Sequence, residues 1–356
     1  MLTRDTGLRS QIIQRASGGR FSHALICTTP PTLTEARLEG VRNISARNVY
    51  ISDIVNVAVL RLRGQAGDIR KAASDAASYA TSFFSAAYDL PQALASVTNK
   101  ILDEGNPGVF CSELVAKSYK HAGIDLVDGL TPDNITPNDI ASSIKLMEIT
   151  HEVCSPCPSD FDPGTLEPID GVVGDNVARE SSLELRRLFE DTRAAWEPYY
   201  GEIRPRNIWD VVGLIGMGTV KDIKDLDRVR AIDAILAEAI RTSKLWSIVE
   251  AMAKNDGKAV AHQLSIWQSQ LANAGNSPNL LGLLAQTISD DLELVSGQIN
   301  SREPEAITFQ EIGDKGGMQS PGELAKFQRA IVHLYKLRHN VEADLYQQVL
   351  AKLGKN

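Results

Sequence analysis

The chain has 356 residues, of which 43% are hydrophobic and 23% charged, with a formal net charge of -8. That balance is ordinary for globular protein and leaves room for two domains. An acidic chain with no basic run excludes a nucleic-acid partner, and its longest apolar stretches, such as residues 211–217, fall well short of a transmembrane segment. Residues 1–5 lack the apolar core of a signal peptide. The four cysteines, Cys27, Cys111, Cys154 and Cys157, make no disulfide framework in a chain of this length. The expected location is therefore the cytoplasm, or an exported form without a cleavable signal peptide.

Apolar spacing predicts a short helix over 8–16. Alternating runs of strand formers follow at 22–28, 33–37, 41–45 and 55–62. An Ala-rich helix is expected over 66–87, ending near Tyr88-Asp89-Leu90-Pro91, with a second helical piece after it. A loop ending Asn106-Pro107-Gly108 then leads into Phe110-Cys111-Ser112-Glu113-Leu114-Val115-Ala116. Beyond it Leu114, Val115, Lys117, Tyr119 and His121 keep helical spacing as far as Gly123. Thr136-Pro137-Asn138-Asp139 opens another helix, with Thr as N-cap, Pro in the first position and an acid in the third.

Proline and glycine crowd residues 154–176, which read as a linker. It separates a first domain, 1–153, from a helical bundle over 177–356 whose role the sequence leaves open. Ile223, Leu226, Val229, Ile232, Ile235, Leu236, Ala239 and Ile240 form one amphipathic stripe; Leu324, Phe327, Ile331, Leu334, Leu337, Val341, Leu345 and Val349 form another. Ser320-Pro321-Gly322-Glu323 reads as a capping box opening the last helix. The fold class expected is α+β followed by an all-α domain.

Cysteine chemistry is the strongest functional signal. A helix start aims N–H groups and the positive end of the helix dipole at Cys111, which lowers a thiol pKa and supplies oxyanion donors. Upstream, Phe21-Ser22-His23-Ala24 offers the base that a thiol nucleophile needs. A hairpin of 22–28 and 33–37 turning near Thr29 sets His23 directly opposite Glu35, with Cβ atoms roughly 4.5–5.5 Å apart. Glu35 then fixes one ring nitrogen and leaves the other for Cys111. His121 lies on the cysteine helix about 15 Å away, out of reach. His262, His333 and His339 read as packing or surface residues of the helical half, and Cys27 as a small core residue on the His23 face. His151-x-x-Cys154-x-x-Cys157 lacks a fourth zinc ligand and a thioredoxin-like setting, so it reads as loop. Gly213-Leu214-Ile215-Gly216-Met217-Gly218 lacks the strand and acidic partner of a dinucleotide site. No cofactor or metal is expected.

Ser22-His23-Ala24, Thr34-Glu35-Ala36, Tyr88-Asp89, Phe110 to Val115 and Thr136-Pro137-Asn138-Asp139, in that order, resemble the permuted papain-like amidases of the YaeF/YiiX type. These are circularly permuted relatives of NlpC-type cysteine peptidases. The resemblance covers about residues 8–149. It implies a papain-like domain with an antiparallel sheet and packed helices, with Cys111 as nucleophile, His23 as base and Glu35 as third polar member. It also implies that Tyr88 lines the site as an oxyanion or substrate contact, with Ser22 beside it. The activity implied is cleavage of an amide in a peptide or peptide-like substrate through a thioester. The alternatives are a lipid-directed thiol acyltransferase or esterase acting on an acyl lipid, because permuted papain-like folds include lecithin–retinol acyltransferase relatives, and an inactive interaction protein. The helical half is a candidate surface for a protein partner.

Overall fold

The computed structural model describes residues 1–4, 19–30, 32–46, 49–64, 66–96, 108–156, 167–169, 177–200, 203–221, 226–275 and 277–354. The helix expected over 8–16, Asn106-Pro107, Cys157, Ile223 and most of the expected linker lie outside them. The chain divides into two compact units, Met1–Phe189 with Gly201–Ile208, and Glu190–Tyr200 with Trp209–Asn356. The first unit thus runs past the boundary expected near residue 176.

The first unit is built on an antiparallel five-stranded sheet of order β4-β3-β2-β1-β6. Its strands are β1 (Leu2–Thr3), β2 (His23–Thr29), β3 (Thr32–Arg37), β4 (Gly40–Ser45) and β6 (Val57–Ala58). The expected strand over 55–62 is divided into a 3-10 turn, β6 and β7 (Leu60–Leu62). β7 pairs with β8 (Leu146–Glu148), and β5 (Val49–Tyr50) pairs in parallel with β9 (Glu167–Pro168). Alternation sorts the strand residues into two cores. Ala24, Ile26, Ala36 and Val41 join one core with α1 (Ala66–Thr81) and α3 (Cys111–His121). Leu25, Leu33, Ile44 and Val57 join the other with Ile169.

α1 ends at Thr81 rather than near residue 87. There the backbone turns to the sheet: Ser85 N–H donates to Val41 O at 2.8 Å and Val41 N–H to Ala86 O at 2.9 Å. Two inter-element bonds replace the last helical turn. Gly40, at φ +116°, makes this approach possible, since a Cβ there would lie 2.7 Å from Ala86 O. The remaining helices of this unit are α2 (Leu90–Ser96), α4 (Pro137–Ala141), α5 (Thr150–Val153) and most of α6 (Val177–Asp191).

The second unit is helical among its described residues: α7 (Arg193–Tyr200), α8 (Ile208–Lys221), α9 (Leu226–Thr242), α10 (Leu245–Asn273), α11 (Pro278–Gly316) and α12 (Gln319–Leu353). Trp267, Leu281, Leu284, Ile288, Leu345 and Val349 form one of its cores. The expected stripes over α9 and α12 hold in part: Ile232, Leu236, Ile240, Leu324, Phe327 and Ile331 point inward, whereas Ile235, Leu337 and Val341 are exposed. The expected capping box at Ser320 does not form. α12 begins two residues earlier, with Met318 as N-cap, and Asp233 of α9 caps it, accepting from Gln319 N–H at 2.7 Å and Ser320 N–H at 2.8 Å. The Ser320 hydroxyl also donates to Asp233, at 2.6 Å. A buried carboxylate at a helix start is the stronger cap, because it accepts several N–H bonds and meets the positive dipole end.

Among the described residues no helix is long and apolar enough to cross a membrane.

Candidate active site

Three segments meet at the start of α3. Cys111 is its first residue, with Phe110 as N-cap in extended backbone (φ -102°, ψ 172°). The Phe110 N–H donates to the Glu113 carboxylate at 3.1 Å, and the Ser112 hydroxyl to Ile135 O at 2.7 Å. The helix start is thereby tied to the segment that opens α4. There Thr136 is the N-cap as the sequence suggests, and its N–H donates to the Asp139 side chain at 2.8 Å. Asn138 in turn brackets the chain before β2: its Oδ1 accepts from Phe21 N–H at 2.9 Å and its Nδ2 donates to Phe21 O at 2.8 Å. The motifs around residues 21–24 and 136–139 are thus two sides of one contact.

His23 opens β2 and is buried, as are Cys111 and Glu35. Its Nε2 lies 2.5 Å from Glu35 Oε2, and the Cys111 sulfur is within electrostatic reach of the ring. The register is not the one expected. Leu25, not His23, stands opposite Glu35, and Thr29 stands opposite Thr32. The turn lies one to two residues later than Thr29. That turn alone would give odd registry and put Glu35 and His23 on opposite faces. The shift between Cys27 and Thr29 makes Thr28 the extra residue of a bulge, which restores the common face. Glu35 reaches His23 diagonally, a span of about 7–8 Å between backbones that long side chains cover.

Two arginines hold the carboxylate from the other side. Arg42 stands directly opposite Glu35 on β4. Its Nε and a terminal nitrogen both lie 2.8 Å from Oε1, while Arg37 Nε lies 3.0 Å from Oε2. Burial pushes the Glu35 carboxyl up, but Arg37, His23 and Arg42 hold it well below the usual carboxylate range. Burial and then Arg37 push the His23 imidazole down; the charge and hydrogen bond of Cys111, with Glu35, overcome them and raise it. Burial pushes the Cys111 thiol up, yet His23 and the N–H groups of Ala24 and Ser112 hold it below the ordinary thiol value. A raised imidazole beside a lowered thiol is the electrostatic pattern of a thiolate–imidazolium pair.

Tyr88 forms an isolated bridge with Val109 and is half-buried. Burial and then the Cys111 charge push its phenol up, so it stays a hydroxyl donor near the sulfur. Ser22 is buried and its N–H donates to Thr3 O at 3.1 Å. The strand N–H that helps to lower the Cys111 thiol is that of Ala24. Glu113, Asp133 and Lys117 form a further cluster behind the helix start. Lys117 Nζ lies 2.5 Å from Glu113 Oε1 and 3.3 Å from Asp133 Oδ1. Burial and a hydrogen bond with Asp133 push the Glu113 carboxyl up to about 7.

The sequence reading did not include Arg37, Arg42, Ala24 N–H or this carboxylate cluster. Two of these leave a trace. Glu35 and Arg37 share strand parity, and Arg42 follows a tight turn at the position facing Glu35, which is a pattern of inward charges. His121 stacks on Tyr79 with ring centroids 4.2 Å apart, away from the sulfur at the other end of α3. Among the described residues no cluster of three or more His, Cys, Asp or Glu side chains is arranged to hold a metal ion.

No protein-family model, curated protein or solved structure matches this chain.

Proposed function

We propose that the chain is a cysteine-dependent acyl-transfer enzyme, a hydrolase of an amide in a peptide or peptide-like substrate, on a permuted papain-like domain. The observation that carries this reading is the meeting of Cys111, His23 and Glu35, distant in sequence, in one buried cluster at a helix N-terminus, with His23 Nε2 on Glu35 Oε2 and the imidazole beside the sulfur. The order of histidine strand before cysteine helix agrees with the permuted arrangement.

The chemistry follows from these groups. The Cys111 sulfur attacks the substrate carbonyl carbon, and the carbonyl π electrons move to oxygen. The N–H groups at the helix start and the Tyr88 hydroxyl supply donors for that oxyanion. The tetrahedral adduct expels the amine, which takes the proton held by His23, and a thioester remains. Water then attacks the thioester, giving its proton to His23. The acid leaves and the thiolate–imidazolium pair returns. Glu35 stabilises the imidazolium in both halves without taking its proton.

Cys111→Ala is expected to abolish turnover on a peptide amide library while leaving the circular dichroism spectrum and melting temperature of the wild type. Iodoacetamide is expected to alkylate wild-type Cys111 at pH 6 far faster than it alkylates free cysteine, because the thiolate is already formed. Equal rates, or full turnover in Cys111→Ala, would overturn the reading. Products from acyl lipids but none from amides would move the substrate class to lipids.

A further inference from the structure

Glu35 and Arg42 are 0% and 1% exposed and face each other across β3 and β4. Withdrawing two opposite charges from water costs several kcal/mol per ion, and a well-packed apolar pair of similar volume often stabilises a fold as well or better. Stability alone is therefore a weak reason for an arginine here. Its geometry supplies another. Arg42 Nε donates to Oε1 at 2.8 Å, with a terminal nitrogen in ion-pair contact with the same oxygen, and this leaves Oε2 to His23 Nε2.

We propose that Arg42 is a positioning residue of the candidate active site: it fixes Glu35 in charge and orientation, and Glu35 so fixed holds His23 as the imidazolium partner of Cys111. This rests on the reading of Cys111 as an activated nucleophile. Arg42 acts through the carboxylate. Arg37 is a less direct case, since it supports Glu35 and also pushes the His23 imidazole down.

The charged and titratable groups around this line come from every element at the site. Glu35 is faced by His23 from β2, Arg37 from β3 and Arg42 from β4. Cys111 is faced by His23, and Tyr88 and Glu113 lie within its surroundings, with Asp89 beside Tyr88. Without Arg42 the buried Glu35 loses the compensating cation that faces it across the sheet and takes up a proton more readily. A neutral Glu35 no longer favours the imidazolium, so the thiolate forms only at higher pH.

The test is the pH profile of Cys111 alkylation by iodoacetamide, read by mass spectrometry of the Cys111 peptide in the full chain. In Arg42→Met the acidic limb is expected to move up by about one pH unit, which is about tenfold slower alkylation at pH 6. Arg42→Lys, which keeps the charge but not the planar guanidinium that sets Nε on Oε1, should fall between. In a Glu35→Gln background Arg42→Met should leave the limb where Glu35→Gln alone puts it. A folded Arg42→Met with the wild-type profile, or an equal shift in the Glu35→Gln background, overturns the proposal. If Arg42→Met does not fold, Arg42→Lys decides, and an unmoved limb there overturns it. A wild-type thiol no faster than free cysteine removes the underlying reading as well, whereas a fast wild-type thiol unaffected by Arg42 removes this inference alone.

Discussion

Glu113 lies two residues beyond the candidate nucleophile and is 2% exposed. Its carboxylate accepts the Phe110 N–H at the turn into the helix, so its ionisation bears directly on how Cys111 is held. Its folded value, near 7, stands above the ordinary 4.5. A carboxyl with a raised folded value binds its proton more tightly when folded. Its contribution is therefore complete below about pH 4.5 and disappears as pH rises through about 7. Asp133 shifts in the opposite direction, held down by its hydrogen bond to Glu113 and by Lys117 against its own burial, so the two share one proton. Glu113→Gln keeps a hydrogen-bonding side chain and removes the titration. Wild type is expected to lose on the order of 2–3 kcal/mol between pH 4.5 and 8 that Glu113→Gln does not lose. Urea melts of both at several pH values would show it, and parallel pH profiles would refute it. Cys111 and His23 stand out in the sequence as candidates because few side chain types can act as nucleophile and base. Arg42 does not, since a charge is ordinarily assigned to the surface until a register places it opposite another.

At the level of elements, the strands over 23–45, the Cys111 helix and the Thr136-capped helix follow from alternation, spacing and capping. β1 and β6, of two residues each, are too short for a periodic pattern and owe their pairing to neighbouring strands. Register was the part that the sequence could not supply. The turn position and the bulge at Thr28 are set by local backbone geometry, and each moves the pairing by whole residues. Deleting Thr28 tests their role. With the extra residue gone, Thr29 stays opposite Thr32, Cys27 opposite Leu33 and Leu25 opposite Glu35, so Glu35 keeps the face of His23 and the Cys111 alkylation rate at pH 6 should stay close to that of wild type. A fall of about tenfold or more with the helical circular dichroism intact would mean that Thr28 is not the residue that sets the register. The helical half was legible as helices but not in its caps, because Asp233 lies far in sequence from the α12 start it serves.

At the level of the whole chain, the two units differ in how their contacts span the sequence. In the first, Leu2 pairs with Ala58, Leu62 with Leu146, and Val49 with Glu167. In the second, α11 and α12, of 39 and 35 residues, are consecutive and joined by a turn at Gly317, whose φ is +66°. Helices of that length extend about 50–60 Å and can close on one another like a zip from the turn outward. Long-range pairings require costly loop closure before any bond forms, and chains rich in them reach the native state more slowly. On dilution from guanidinium, most of the far-ultraviolet ellipticity should therefore return before Cys111 gains its alkylation rate at pH 6. Simultaneous recovery would contradict this order. A newly made chain would then pass through an interval in which it is largely helical yet chemically silent, its sulfur still an ordinary thiol until the last strands lock.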